Sequence, residues 1–289
     1  VVPLAAGGIS DVMARTVAEE MGKTLGTSVI VGNKAGANFF IGVQAVTSSK
    51  PDGYTLAYLP SSALTLGPIH YKDRIPYKIS DLQLLSTLFR GHQLLAVAKN
   101  SPYNNLPEFV AQSRQLNAPL VLGASSIGGS THLMVEQLGS VAGLKVQTVV
   151  YKGEPPAVQD LVAGNLPVFS GVLPSLLEQY RAGNIKLLAI SSDKRIAAIP
   201  DVPTFKEQGY PMIDTTYWAG LAAPAGTPPD VVDKLHKAVL SAVQSQAFRN
   251  RLQPDMEPFT TSPAQFLDLV RTESARWEKL IKDRKISLE

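Results

Sequence analysis

LVLGASSIGGSTHLMVEQL, residues 120–138, places a strand, a glycine turn and a helix side by side. Leu120–Leu122 reads as the strand, Ile127-Gly128-Gly129 as the turn, and Ser130 as an N-cap. Leu133, Met134, Leu138 and Val141 then recur at helical spacing until Gly143 ends the pattern. The turn almost matches the phosphate loop G-x-x-x-x-G-K-[ST]. Gly123, Gly128 and Ser130 fit it, but Gly129 stands where the lysine belongs.

The opening of the chain repeats this arrangement. PLAAGGISD, residues 3–11, runs from an extended stretch through a glycine pair to Ser10-Asp11 at a helix start. Met13, Val17 and Met21 then share one face. Further runs at Val29–Val31, Thr55–Leu59, Leu94–Ala98, Val146–Tyr151 and Lys186–Ile190 read as strands between helices. Such alternation predicts an α/β fold with largely parallel sheets. Towards the C-terminus, Thr227-Pro228 precedes a helix with the apolar face Val231, Leu235, Ala238, Val239 and Ala242. Ser262-Pro263 with Gln265 forms a capping box ahead of Phe266, Leu269, Val270, Trp277, Leu280 and Ile281. That stripe is expected to pack across the N-terminal sheet.

Composition narrows the function classes. The chain has 289 residues, 45% of them hydrophobic and 18% charged, which describes an ordinary globular protein. A formal net charge of +3 without a Lys/Arg block argues against nucleic acid as a partner. The absence of cysteine excludes disulfides and thiol chemistry. His70, His92, His132 and His236 lack metal-ligand spacing, so neither a metal nor a cofactor is expected. The sequence starts inside the apolar run Val1-Val2-Pro3-Leu4, and a signal peptide is one candidate for a segment removed upstream.

Both turns expose helix N-terminal N–H groups, where the macrodipole places partial positive charge. Glycines allow close approach, and Ser10, Ser130 and Thr131 add hydroxyls. Neutral donors without a fixed cation suit a carboxylate better than a polyphosphate. A catalytic reading competes: Ala124-Ser125-Ser126-Ile127-Gly128 fits a relaxed nucleophile elbow, which would make the chain an α/β hydrolase with Ser126 as nucleophile. The histidines after Ser126 are His132, on the same helix start, and His236, with no acid opposite it.

At these residues the chain resembles the periplasmic solute-binding receptors of tripartite tricarboxylate transporter systems, the Bug family. VVPLAAGGISDVMAR is similar to that family's opening VPF-x-PGG-x-x-D-x-x-AR. PDGYTL (51–56), SSIGGSTHL (125–133), VVYKGEPPAVQDLVAG (149–164), PTFKEQGYP (203–211) and GLAAPAGTPPDVVDKL (220–235) resemble its other hallmarks, in order.

The resemblance implies an α/β, two-lobed periplasmic binding protein type II fold (Venus flytrap) with a ligand cleft between lobes. Lobe one is expected at 1–98 plus 220–289 and lobe two at 99–219. The implied function is non-enzymatic: a periplasmic, monomeric receptor that binds a small carboxylate and works with membrane transporter subunits. A sensor of the same fold is a further alternative.

Carried over by position, the implied ligand residues are Ala6, Gly7, Gly8, Ile9, Ser10 and Asp11 in the first turn. In the second they are Ser126, Gly129, Ser130, Thr131 and His132. Ser61, Ser62 and Tyr151 are further cleft candidates; Asp11 could equally cap its helix, and Tyr151 could equally pack the hinge. The chain departs from the family at two places. Its G-A-G-G-N-x-G stretch is here Gly36-Ala37-Asn38-Phe39-Phe40-Ile41-Gly42, so Phe39 faces either core or cleft. A family aspartate is here Ser170, after Phe169, which removes a partner for a ligand ammonium. Arg90 and His92 could pair with a second carboxylate or lie at the surface. These departures lean towards a dicarboxylate or an aromatic carboxylate.

Overall fold

The computed structural model describes residues 1–125 and 129–286, except the side chain of Asp73. In chain order the elements begin with α1 (Ile9–Leu25), α2 (Phe40–Thr47), β1 (Ala57–Pro60), α3 (Ser61–Leu64), α4 (Leu66–Tyr71) and β2 (Leu82–Ala98). There follow α5 (Leu106–Ser113), β3 (Leu120–Ala124), α6 (Ser130–Ala142), β4 (Val146–Val150), α7 (Glu154–Ala163), β5 (Val168–Val172), α8 (Leu173–Arg181) and β6 (Ile185–Ile190). The chain closes with β7 (Thr216–Pro224), α9 (Pro229–Gln244), α10 (Gln246–Arg249), β8 (Met256–Pro258) and α11 (Pro263–Arg284). Among the described residues, no helix is long and apolar enough to cross a membrane.

The chain divides into two compact units. The first holds Val1–Arg90, Trp218–Leu252 and Met256–Glu278; the second holds Gly91–Tyr217, Gln253–Asp255 and the residues from Lys279 on. The chain therefore changes unit inside β2, inside β7 and inside α11, and also on either side of Gln253–Asp255.

Unit 2 is a layered α/β sheet. In β2, Gln93–Val97 pairs antiparallel with β5, while Leu94–Ala98 pairs antiparallel with β6. β3 runs parallel to both β4 and β5. Side chains alternate across a strand, so Leu95 and Val97 face one way while Leu94 and Ala96 face the other. The first pair meets Phe109 and Val110 of α5 with Met134, Val135 and Leu138 of α6. The second meets Val158 and Leu161 of α7 with Leu173 and Leu176 of α8. Helices on both faces explain why the strand is apolar at consecutive positions.

In unit 1, Met13, Val17 and Met21 are buried along α1, which packs against α9. β1 pairs antiparallel with β7, Ala57 opposite Ala222 and Pro60 opposite Ala219. The stripe on α11 packs on this sheet as expected: Phe266 and Val270 join Ala57, Leu59, Trp218 and Ala222. The Phe266 ring meets Trp218 edge-on, centroids 5.4 Å apart. It lies so close over Gly220 that a Cβ there would sit 2.4 Å from the ring. The capping box forms, with Gln265 N donating to Ser262 Oγ at 3.2 Å and Ser262 N to Gln265 Oε1 at 2.9 Å.

Several local expectations are corrected. The sheets are mixed, because β2 runs antiparallel to β5 and β6 and β7 runs antiparallel to β1. Val29–Val31 forms no strand, and the opening run makes only a single bridge, Val2 to Asn33. That bridge is parallel, with Val2 N donating to Gly32 O and Lys34 N to Val2 O, so the pairing falls after Val29–Val31 and leaves that run without a ladder partner among the described residues. Gly129, not Ser130, is the N-cap of α6, and Val141 faces outward at 38% exposure. Thr227 donates to Pro224 O at 2.8 Å instead of capping α9, and that helix buries Val232 in place of Val231.

The Phe266 contact gives a test. Phe266→Ala should destabilise unit 1 by about 3–5 kcal/mol, the range for an aromatic lost from a closed core. Urea unfolding monitored by Trp218 fluorescence reads it, and a loss below about 1 kcal/mol would contradict this packing.

Candidate functional site

The two helices that follow glycine turns begin in nearly the same way. Gly8 caps α1 with φ −79° and ψ 172°, and Gly129 caps α6 with φ −82° and ψ 173°. No side chain caps either helix. The first helical bonds are Val12 N to Gly8 O and Leu133 N to Gly129 O, both 3.0 Å. The N–H groups before these points have no helical partner, so each turn presents donors at the positive end of a dipole.

In unit 1 the turn is held from behind by Asp11. Its carboxylate accepts from Gly7 N at 3.0 Å, from Arg15 Nε at 3.0 Å and from Asn33 Nδ2 at 2.9 Å. Asn33 Nδ2 also reaches Leu4 O at 3.1 Å, which ties both sides of the turn together. The hydrogen bond from Arg15, then that from the Gly7 amide, then that from Asn33 hold the Asp11 carboxyl down to about 2. Asp11 thus acts on the backbone and occupies the Gly7 amide.

Ala6, Gly7, Gly8 and Ile9 are exposed, and Ser10 lies against the buried phenol of Tyr58. Ser61 and Ser62 open the short α3 and are half-buried. Phe39 packs with Phe40 against the unit 1 core. Ala37, Asn38 and Phe39 are all left-handed, with φ 45°, 49° and 78°.

In unit 2 the turn is braced by Thr131, whose Oγ1 accepts from Ser125 N at 3.1 Å and lies 3.0 Å from Ser125 Oγ. Tyr151 N donates to Ala124 O at 2.9 Å and Gly153 N to Ser125 O at 3.1 Å, which brings that segment beside the turn. The Tyr151 hydroxyl itself donates to Asp160 at 2.8 Å. Burial, then the Asp160 carboxylate, raise its pKa.

Ser130 is half-buried, and its Oγ accepts from Gln93 Nε2 at 2.8 Å. His132 is buried beside Glu136, Nε2 to Oε1 3.9 Å. Burial lowers its pKa against the opposing pull of Glu136, which favours the neutral ring. Glu136 also accepts from Thr148 at 2.9 Å and from Arg284 at 3.2 Å.

The structure therefore brings Gly129, Ser130, Thr131 and His132 to one helix start, and the first-turn residues to another. Ser170 is elsewhere: it is fully buried in β5 opposite Leu95, its hydroxyl 3.6 Å from Met134 Sδ. His92 is buried in β2, with its backbone N–H at the Asp255 carboxylate. Arg90 pairs with Glu257 and lies over the Phe259 ring. Ser126 lies outside the described residues. His236 contacts Leu85 O at 3.0 Å within unit 1. Among the described residues, no group of three His, Asp or Glu side chains is placed to hold a metal ion.

Sequence reasoning missed three residues that matter here. Arg15 stands four after Asp11, a spacing that was visible on a helix. Gln93 is a polar residue at the start of an apolar run, a weak signal. Asn33 had none.

The Asp11 network sets a pH dependence. Its folded-state pKa lies below the ordinary 3.8, so the stabilisation is fully present above pH 3.8 and is lost as pH falls towards about 2. Thermal melts across that window should show Asp11→Ala less acid-sensitive than the native chain. Parallel acid profiles would remove Asp11 from the turn's support.

Known proteins resemble this chain over nearly its whole length. The family described as the tripartite tricarboxylate transporter family receptor matches residues 13–286. Protein BugT of Bordetella pertussis is 32% identical over 98% of this chain and 87% of its own. MatC from Rhodopseudomonas palustris, solved with bound malate, is 28% identical, with a TM-score of 0.73 over 97% of both chains. Another R. palustris protein, solved with adipate, is 29% identical, with a TM-score of 0.80 over 99% of this chain and 96% of that one. With its α/β units and paired glycine turns, the chain belongs to the tripartite tricarboxylate transporter receptor family.

Proposed function

We propose that the chain is a periplasmic receptor that captures a small carboxylate and delivers it to a membrane transporter, without catalysing a reaction on it. The observation that carries this reading is the pair of glycine-capped helix starts, which supply N–H and hydroxyl donors, with Gly129 standing where a phosphate loop has lysine. Such donors stabilise a localised anion of modest charge. In this reading a ligand carboxylate takes its hydrogen bonds from helix-start N–H groups and hydroxyls of such a turn. Ser130 is the hydroxyl best prepared to donate, since Gln93 already fills one of its acceptor positions.

An aliphatic dicarboxylate is the favoured class. Two relatives of this fold are described with malate and with adipate. No acid stands at Ser170 to hold an ammonium, and that hydroxyl is enclosed in the sheet. The ring of Phe39 packs against the unit 1 core, which leaves an aromatic ligand with less support.

Two measurements test the reading. A thermal-shift screen of dicarboxylates, benzene carboxylates and amino acids should single out a dicarboxylate. At 1,000 times its Kd a ligand stabilises by about 4.1 kcal/mol, or several degrees in Tm for a chain of this size. Silence across all carboxylates would overturn the assignment. By calorimetry, Ser130→Ala should weaken the selected ligand by about 1.5–3 kcal/mol, the range for a hydrogen bond to a charged group. An unchanged Kd would move the anion away from this turn.

A further inference from the structure

Gln93 sits on β2, almost fully buried at 1% exposure. Its backbone is bracketed by one residue: Gln93 N donates to Ser191 Oγ at 2.9 Å, and Ser191 N donates to Gln93 O at 2.9 Å. Ser191 Oγ passes its own proton to Thr215 O at 2.6 Å. The side-chain amide then donates from Nε2 to Ser130 Oγ at 2.8 Å, while its Oε1 is buried with no hydrogen-bond partner among the described residues.

That orphan acceptor needs a physical reason, because buried polar atoms are nearly always satisfied. A turned amide would let Oε1 accept the Ser130 proton, but it would put the amide nitrogen, a donor of two N–H groups, in the buried place that Oε1 now holds. It would also aim the hydroxyl inward and leave the serine with no proton for a ligand. A hydroxyl has one proton and two acceptor positions. With Nε2 facing Ser130, an acceptor position is filled and the proton is left to point away from Gln93, at the start of α6. Thr131 differs, since its hydroxyl is engaged by Ser125 in bracing the turn.

We propose that Gln93 is a positioning residue of the receptor site: its buried amide fixes the direction of the Ser130 hydroxyl so that Ser130 donates to a ligand carboxylate. The inference rests on the carboxylate reading above and adds to it a residue that does not itself touch the ligand. The orientation that leaves Oε1 unpartnered is the one that donates to Ser130, and Ser191 holds the backbone that carries the amide.

Substitutions that change the amide's donor capacity without removing the serine test this. Adipate, malate and benzoate are titrated into the native chain by calorimetry, and the tightest of the three is carried through. Gln93→Met keeps the length and loses the donor, so it should weaken binding by about tenfold or more at every pH. Gln93→Glu introduces a carboxyl that donates to Ser130 Oγ only when protonated. Once ionised it accepts the serine proton instead and turns the hydroxyl inward. Its Kd relative to the native chain at the same pH, a ratio that cancels the ligand's own titration, should approach one at about pH 5 and rise about tenfold or more by about pH 8.

A packing role alone would leave Gln93→Met, which keeps the length, at the native affinity. Circular dichroism and Tm of each variant establish that the fold is intact. Ligand affinity unchanged in Gln93→Met, or a flat ratio for Gln93→Glu, overturns the inference while Ser130→Ala still weakens binding. Unchanged affinity in Ser130→Ala, or a native chain silent towards all three acids, overturns the carboxylate reading at this turn and the inference with it.

Discussion

A helix that starts on glycine has no side chain with which to satisfy its own first amides. Both α1 and α6 start that way, at almost identical dihedral angles. The rest of the turn architecture compensates for this by holding the backbone from outside. Asp11, Arg15 and Asn33 do so in unit 1, and Thr131 with Ser125 does so in unit 2. Side chains of quite different chemistry thus serve one end, which is to keep a row of N–H donors in place without occupying all of it. Capping serine or aspartate at position 8 or 129 would stabilise each helix locally and consume the donors.

Much of this was legible in the residues themselves. Glycine pairs between apolar runs mark both turns, because few other residues let a backbone bend and be approached so closely. The faces of α1 and α11 follow from spacing alone, as does the capping box at Ser262. What the sequence could not reveal is who satisfies whom. Thr131 was a natural ligand donor on paper, and only the fold commits its hydroxyl to Ser125. Ser170 looked like a vacant acid position, yet β5 buries it against Met134. Gln93 meets Ser130 across a sequence separation of 37 residues, a pairing that depends on how β2 is laid against α6. Val29–Val31 has every mark of a strand and fails for a reason outside the segment: the one bridge nearby pairs Val2 with Asn33, beyond its end.

The run Ala37-Asn38-Phe39 has a different lesson. Three consecutive non-glycine residues stand in the left-handed region there, where a side chain other than Asn crowds its own carbonyl at a cost of roughly 1–2 kcal/mol. The related sequences that this stretch resembles carry glycine at the position of Phe39, the residue type that accepts such a backbone freely. This chain keeps the bend and forgoes the ease. The ring must therefore return, through the unit 1 surface it covers, at least what its backbone loses. Glycine at position 39 would relax the bend and remove the ring's contacts with that core, so backbone ease and side-chain packing oppose each other at a single residue.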